Sequence, residues 1–264
     1  MHSLEERIKT IYENSQRDNV FSEEQISTLR WLERQTHTRT NHAQMLVGEE
    51  EGRFLAAFTQ EIFLTSKSNS FKILEIGTFT GYSLLCFSFA LKSILQNISH
   101  SAPDKEFPLN VSNKDFPSTA SNKDFSINAI EINDELKYLI DEAVAKAEAE
   151  SFVKVCFADA LEYLQSHRDE LYDIIFIDAN KRNYLEYYKL VFPLLKRGGF
   201  ILADNVLWHG KLPDASQSAI AECGNLKTRG ILDFNSYIAK ESEAGKVESY
   251  LLPIRDGLYI ISKP

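Results

Sequence analysis

Two aspartates and an asparagine stand at the ends of two neighbouring predicted strands, where they could hold a metal ion. Asp178 follows the apolar run DIIFI, and Asp204 with Asn205 follows GFILA. The carboxyl ends of parallel strands form the edge at which open α/β sheets bind ligands. Carboxylate and amide oxygens suit Mg²⁺, with Ca²⁺ or Mn²⁺ as alternatives. Both aspartates could instead cap the following helices, but Asn205 and the matching strand positions favour a metal site.

A lysine close to the first aspartate could serve the same site. Lys181 lies three residues beyond Asp178, near enough to reach a ligand held by the metal. Without a metal site, an ordinary surface lysine would be the simpler interpretation.

A glycine-containing turn, EIGTFTGYS, occupies Glu75–Ser83 at the end of an earlier apolar run. Glycines let the backbone turn tightly and approach a ligand beside a helix N-terminus. The spacing from Gly77 to Gly81 differs from the dinucleotide fingerprint G-x-G-x-x-G. The turn therefore favours a nucleoside without a diphosphate, and a plain strand-to-helix turn is the alternative.

Two further acidic positions follow the next predicted strands. Glu131 could accept the ribose hydroxyls of a nucleoside, a role usually found about 20 residues after the glycine turn. Here it comes 54 residues after Gly77, and a long insertion accounts for the excess. Asp159 could cap a helix or face an adenine amino group, with the Ala160 backbone beside the ring. Both roles of Asp159 stay open, and a solvated strand-end glutamate is the alternative for Glu131.

The elements that must position these residues alternate between strands and helices. Short apolar runs separated by helical patterns predict a doubly wound α/β fold with a seven-stranded, mostly parallel sheet. The last two runs flank Arg255-Asp256-Gly257, which predicts an antiparallel hairpin. The predicted strands are Lys72–Gly77, Ile127–Ile132, Val153–Ala158, Asp173–Ala179, Gly199–Asn205, Val247–Ile254 and Leu258–Ser262.

We predict a single domain that spans residues 1–264. Two of its segments do not follow the alternation of strands and helices. Residues 1–65 are predicted to be helical, with a capping box at Ser22–Gln25. Residues 96–126 form a polar insertion with a quasi-repeat that carries Phe107, Phe116 and Phe125. An insertion without a core of its own is typically an exposed linker. The alternative is a partner-binding or dimer-clasping arm that uses the spaced phenylalanines.

Composition restricts the class of protein. The 264 residues are 44% hydrophobic, carry a net charge of −9 and include no apolar run long enough to span a membrane. The acidic balance argues against nucleic acid as a partner, because phosphate contacts require basic surfaces. Three cysteines without a C-x-x-C pair indicate neither a disulfide framework nor a zinc site. With no secretory signal at the amino terminus, we expect a cytoplasmic protein with a small-molecule substrate.

Taken together, the motifs resemble one known family. LEIGTFTGYS, AIEIN, ADA, FIDANKRNY and GGFILADNVLW look like the metal-dependent catechol and caffeoyl-CoA O-methyltransferases and their bacterial relatives. The similarity extends from about residue 40 to the end, in the family's motif order. QMLVGEEEG at Gln44–Gly52 also resembles the segment that closes over the cofactor.

The resemblance implies a role for each matching position. Lys181 and Asp178 would be catalytic, with Lys181 taking or compensating the proton of the acceptor. Asp178, Asp204 and Asn205 would hold the divalent metal, and Trp208 would line the cofactor or acceptor pocket. The residues implied to bind S-adenosylmethionine are Met45, Val47, Glu75, Gly77, Thr78, Ser83, Glu131, Asp159, Ala160, Asp178, Asn180 and Tyr187.

The implied reaction is methyl transfer to one of two vicinal hydroxyls of a catechol-like molecule. A homodimer through the amino-terminal helices is also implied. The chain departs from the family pattern at Asn180, where an aspartate is common, and at His209, where plant members often have asparagine. The alternatives are a tRNA hydroxyuridine O-methyltransferase, a non-catalytic cofactor-binding module and a nicotinamide dehydrogenase, which the missing G-x-G-x-x-G disfavours.

Overall fold

A seven-stranded sheet forms the centre of the computed structural model, which describes residues 3–99, 123–210 and 225–264. The strand order is β3-β2-β1-β4-β5-β7-β6, with β1 to β5 parallel and β7 antiparallel to both of its neighbours. The predicted doubly wound sheet and its final hairpin are confirmed. The strands are β1 Ser70–Ile76, β2 Asp124–Glu131, β3 Val153–Phe157, β4 Tyr172–Ile177, β5 Leu195–Ala203, β6 Glu248–Leu252 and β7 Leu258–Ser262.

Helices cover both faces of this sheet. One apolar cluster includes side chains from the first five helices of the described chain, and the other includes side chains from the last three. Strand β4 is buried along its whole length, as its continuous apolar sequence predicts. The helices are α1 Leu4–Ser15, α2 Glu23–Arg39, α3 Gly48–Thr65, α4 Tyr82–Ser99, α5 Lys137–Lys146, α6 Ala160–Ser166, α7 Tyr184–Val191 and α8 Leu226–Glu243.

The amino-terminal helices pack on their own chain. Capping boxes begin α1 at Ser3 and α2 at Ser22, the second of which the sequence predicts. Ile8, Ile11 and Leu32 lie fully buried in the same apolar cluster as the sheet. Part of the apolar surface of the helices that the resemblance implies as a dimer interface is therefore used within the chain.

The structure narrows the predicted insertion. Helix α4 continues to Ser99 and β2 begins at Asp124, so both ends of the predicted segment 96–126 belong to regular elements. Phe125 is not part of an exposed arm, because its ring packs against Phe152 with centroids 4.8 Å apart. Phe107 and Phe116 lie outside the described residues.

Two cysteines lie in the described residues. Cys86 is buried in α4, whereas Cys156 is only half-buried because β3 lies at the edge of the sheet. Cys223 lies outside the described residues. Within residues 3–99, 123–210 and 225–264, no helix is long and apolar enough to cross a membrane.

Candidate functional site

A cavity of about 980 Å³ lies at the carboxyl edge of the parallel strands. It is at the point where the chain order reverses between β1 and β4, the usual binding position in doubly wound sheets. Its walls bring together most of the residues that the sequence predicts. These are Met45, Gly77, Glu131, Asp159, Ala160, Asp178, Asn180, Lys181, Tyr187, Asp204, Asn205 and Trp208.

The sheet register places the two aspartates side by side. Ile177 of β4 pairs with Ala203 of β5, so the residues that follow them are neighbours. The Asp204 backbone N–H donates to the Ile177 carbonyl at 3.0 Å, which extends the pairing beyond the strands. Asn205 has a positive φ of 60°, a conformation that asparagine tolerates better than most residues. The predicted trio therefore meets at one edge of the sheet.

This edge carries an excess of buried negative charge. Burial, and then the negative charge of Asp178, raises the pKa of Asp204 to about 7. Glu51 of α3 is fully buried close by, and burial and the two aspartates raise its pKa well above the usual range. The nearest opposing charges are Lys181, 2.6 Å from Asp178, and Arg255, 3.7 Å from Glu51. Three carboxyl groups thus face two cationic side chains, so ionisation of all three leaves an excess of negative charge that favours binding of a cation.

The donor set is nevertheless a sparse one. In the parts of the chain that the structure describes, no three His, Cys, Asp or Glu side chains converge tightly enough to hold an ion by themselves. The predicted set differs from such a cluster because its third oxygen comes from the amide of Asn205. Two carboxylates and an amide fit Mg²⁺, which keeps several waters among its ligands.

Lys181 is held at two points. Its ammonium donates to Asp178 Oδ1 at 2.6 Å and contacts the Tyr184 hydroxyl at 2.5 Å. That hydroxyl donates to the carbonyl of Asp204 at 2.8 Å. Lys181 is only 8% exposed, so the interpretation as an ordinary surface lysine is wrong.

The glycine turn brings backbone close to the cavity. Gly77 has φ of 87°, and a Cβ built there would lie 2.2 Å from the carbonyl oxygen of Asp178. Only glycine fits this close approach of the β1 turn to the β4 turn. Phe79 also has a positive φ, and its N–H donates to Glu131 Oε2 at 2.7 Å.

Glu131 lies at the carboxyl end of β2, as predicted, with its side chain almost fully buried. Its second oxygen accepts from the backbone N–H of Asn133 at 2.8 Å. Burial raises its pKa, and the hydrogen bonds from the backbone oppose that rise. Two backbone donors fix the carboxylate while leaving lone pairs for a ligand, since each oxygen offers two.

Four predicted cofactor residues lie beside the main cavity. Val47, Thr78 and Ser83 line a small adjoining recess together with Met45 and Gly77. Glu75 is fully buried behind that recess and accepts hydrogen bonds from Thr78 and Ser83. Burial raises its pKa to about 7, and the two hydroxyls limit the rise. Glu75 lines neither cavity in this conformation, so its direct contact with a cofactor stays a prediction.

The remaining predicted residues have mixed structural roles. Asp159 caps α6, accepting from the N–H of Leu161 at 2.8 Å, and also lines the cavity. Asn180 accepts from the N–H of Arg182, which gives this departure from the family pattern a local structural use. Trp208 is half-buried in the cavity wall, whereas the side chain of His209 lies outside the described part.

Three contributors to the site were missed by sequence reasoning. Glu51 stands in the acidic run EEE and resembles an exposed residue, although its spacing to Phe54, Leu55 and Phe58 places it on the buried helical face. Arg255 was noticed only as part of a turn. Tyr184 follows Lys181 by three residues and stood only at the end of the motif FIDANKRNY, with no role assigned to it.

Comparison with known proteins yields a consistent set of relatives. The sequence model of a family described as O-methyltransferase matches residues 19–99 and 118–264. Caffeoyl-CoA O-methyltransferase 1 of Nicotiana tabacum is 29% identical over 219 residues, which cover 81% of this chain and 75% of the relative. A caffeoyl-CoA O-methyltransferase of Medicago sativa is 28% identical over 221 residues, covering 82% and 74%.

Solved structures share the fold. A Bacillus cereus O-methyltransferase in complex with SAH has a TM-score of 0.65 and 22% identity, covering 90% of this chain and 91% of its own. An SAH-bound methyltransferase of Podospora anserina also has a TM-score of 0.65, with 21% identity and coverage of 100% and 98%. At these identities the likeness concerns the architecture alone.

Proposed function

The chain belongs to the O-methyltransferase family and is an S-adenosylmethionine-dependent enzyme, and we propose that it methylates a catechol-like small molecule with the help of a divalent cation. The methyl group would pass to one of two vicinal hydroxyls. Mg²⁺ is the cation that the donor set favours, and Ca²⁺ or Mn²⁺ offers the same chemistry. The observation that carries the proposal is the pair of adjacent strand-end aspartates with Lys181 beside them.

The cofactor would occupy the side of the cavity nearest the glycine turn. Glu131, held by two backbone N–H groups, would accept the ribose hydroxyls. Gly77 lets the chain approach the ligand closely, and Met45 and Val47 would cover it from the start of α3. S-adenosylmethionine supplies a methyl group attached to its sulfonium sulfur, and S-adenosylhomocysteine leaves as the neutral thioether. These residues would orient the methyl carbon, and orientation provides a large part of catalysis in two-reactant transfers.

Asp178, Asp204 and Asn205 would hold the divalent cation. The cation, when bound, lowers the pKa of an acceptor hydroxyl and fixes its position. Asp204 is almost fully buried, so charge interactions at this residue are stronger than in bulk water.

Lys181 would stabilise the oxygen that attacks. An ammonium has three N–H donors, and Asp178 and Tyr184 engage two of them at 2.6 Å and 2.5 Å. The third can donate to the acceptor oxygen and offset its negative charge once the acidified hydroxyl has released its proton to water. A positive charge already held beside the attacking oxygen lowers the activation barrier of methyl transfer, because the protein need not reorganise during the reaction.

The direct test removes one proposed cation ligand that has no proposed cofactor contact. Asp204→Ala should abolish cation-dependent methyl transfer while calorimetry still detects binding of S-adenosylmethionine. Asp141→Ala on the exposed side of α5 serves as the control, because it also removes one carboxylate. Full turnover by Asp204→Ala in chelator would show that the cation role is wrong.

The homodimer stays a prediction. The amino-terminal helices, the expected interface, already bury several apolar residues within the chain, and Ile26 and Trp31 are only partly buried. The acidic net charge supports a small molecule over nucleic acid as the acceptor.

A further inference from the structure

Glu51 is an unusual residue for the interior of a protein. Its side chain is fully buried on α3, and neither of its carboxyl oxygens has a hydrogen-bond partner among the described residues. Burial of a carboxylate without hydrogen bonds is costly. Such a group in a folded protein calls for a functional explanation.

The surroundings of Glu51 increase this cost. The aspartates at positions 178 and 204 both act on it as neighbouring negative charges. Its one ion pair is with Arg255 at 3.7 Å, too long for a hydrogen bond. The same guanidinium donates to the carbonyl of Leu46 at 2.9 Å, which fixes the arginine at the edge of the site. An uncharged side chain at position 51 would make the folded protein more stable.

We propose that Glu51 is a positioning residue of the divalent-cation site. This inference rests on the proposed function, which includes that site. Glu51 adds a third carboxylate to the negative field of Asp178 and Asp204, and its oxygens offer acceptors toward the hydrated cation. Arg255 attracts the carboxylate through the ion pair at 3.7 Å. Groups around the direct ligands commonly set the affinity of a metal site.

This role predicts opposite effects on stability and on cation affinity. Replacing Glu51 with glutamine keeps the size of the side chain and removes its charge. Without a cation, the substitution removes a buried carboxyl group whose ionisation is opposed by burial and by the two aspartates, so the protein should be equally or more stable. With a cation, the site should be weaker, by about 10- to 100-fold in dissociation constant, as for other groups of this kind.

The experiment compares the full chain with three variants. Calorimetric titration of Mg²⁺ gives the affinity, and thermal unfolding in chelator gives Tm without cation. Glu51→Gln should lose affinity without losing Tm, and Glu51→Asp, which keeps the charge, should recover most of the affinity. Glu49→Gln is the control, because its side chain on the same helix is 67% exposed and should bind Mg²⁺ like the wild type.

The outcomes separate this inference from the function on which it rests. If wild type binds no Mg²⁺, Mn²⁺ or Ca²⁺, the cation requirement and the role of Glu51 fall together. If wild type binds Mg²⁺ and Glu51→Gln binds equally well, only the role of Glu51 is wrong. A lower Tm of Glu51→Gln in chelator, with unchanged affinity, would assign Glu51 to a structural ion pair with Arg255.

Discussion

Tyr184 connects Lys181 with the strand end that carries Asp204 in the proposed catalytic centre. Its ring is fully buried in α7, and its hydroxyl connects the ammonium of Lys181 to the backbone carbonyl of Asp204. The contact at 2.5 Å restricts where the ammonium can lie. Tyr184 does not reach the cavity wall, so it acts through Lys181 as a positioning residue.

Removing this hydroxyl should impair turnover more than substrate binding. Hydrogen bonds to charged groups are worth about 1.5–3 kcal/mol, so Tyr184→Phe should lower kcat by roughly tenfold or more and leave KM nearly unchanged. Steady-state kinetics would measure both constants. Tyr188→Phe is the matched control, because that buried hydroxyl on the same helix has no hydrogen-bond partner among the described residues. Equal kcat in the two variants would contradict the role of Tyr184.

Glu75 makes the ligand-free protein sensitive to pH. Burial raises its pKa from 4.5 in the unfolded chain to about 7 in the fold. Between these values the unfolded chain gains from ionisation of Glu75 while the folded protein does not. The contribution of Glu75 to stability is therefore fully present below pH 4.5 and is lost as pH rises through about 7. For this fully buried group, the loss is on the order of 3 kcal/mol.

Glu75→Gln should therefore flatten part of this pH dependence. The amide cannot ionise; its oxygen can accept from one of the two hydroxyls of Thr78 and Ser83, and its NH2 group can donate to the other. Denaturant unfolding of the ligand-free protein between pH 4.5 and about 7 would measure how the free energy of unfolding changes with pH in wild type and variant. Exposed Glu135→Gln should leave the wild-type slope intact. An identical slope in Glu75→Gln would contradict a raised pKa at this position.

Most cavity residues could be predicted because they follow strands in sequence. Asp178, Asp204 and Glu131 each come directly after an apolar run, so the sheet alone places them. Glu51 and Arg255 could not be placed in this way. They reach the site from a helix and a hairpin turn that meet only through tertiary packing.

At the scale of elements, helix α8 packs unusually close to the turn that carries Lys181. A Cβ built at Gly230 would lie 2.2 Å from the Lys181 carbonyl oxygen and 2.7 Å from the Arg182 Cα. The obstacle is backbone, which cannot rotate out of the way. Glycine at this position therefore allows α8 to support the Lys181–Asn183 turn.

Gly230→Ala should lower both stability and activity. Alanine favours helix by about 1 kcal/mol, but overpacking against fixed backbone costs about 1–3 kcal/mol and displaces the turn. Thermal unfolding and kcat would measure the two effects. Lys240→Ala, at an exposed position of α8, is the control. An increase in Tm for Gly230→Ala would mean that helix propensity outweighs this packing.

Element types were predicted better than element ends. The sequence run beginning at Ile127 suggested the start of β2, yet β2 begins at Asp124. Polar residues hid this start, since Lys123 is buried and donates to the carbonyls of Phe63 and Ser66. Periodicity alone does not identify a buried lysine whose partners are backbone atoms.

At the scale of the whole molecule, the chain carries a segment that the family model passes over. The match stops at residue 99 and resumes at residue 118, inside the polar quasi-repeat. Because this segment lies between the matched parts and has few apolar residues, the sequence favours a linker over a part of the core.

Replacing residues 101–121 with a short Gly/Ser linker should leave Tm and the affinity for S-adenosylmethionine unchanged. The replacement keeps Lys123, whose buried contacts belong to the fold. Thermal unfolding and calorimetry would measure the two properties. Light scattering on the same samples would test the alternative arm, since conversion of a wild-type dimer to a monomer would favour that role. Loss of folding would contradict the linker interpretation.

The central claim is tested most directly by the reaction itself. Wild-type protein would be incubated with S-adenosylmethionine and a catechol, or with the matching monophenol, in Mg²⁺ or in chelator, and products identified by mass spectrometry. The account predicts a singly methylated catechol in Mg²⁺, recovery of activity when Mg²⁺ is returned after chelation, and little product from the monophenol. Equal methylation of the catechol in chelator would contradict the account, because Asp178 and Asp204 would then serve no cation in catalysis.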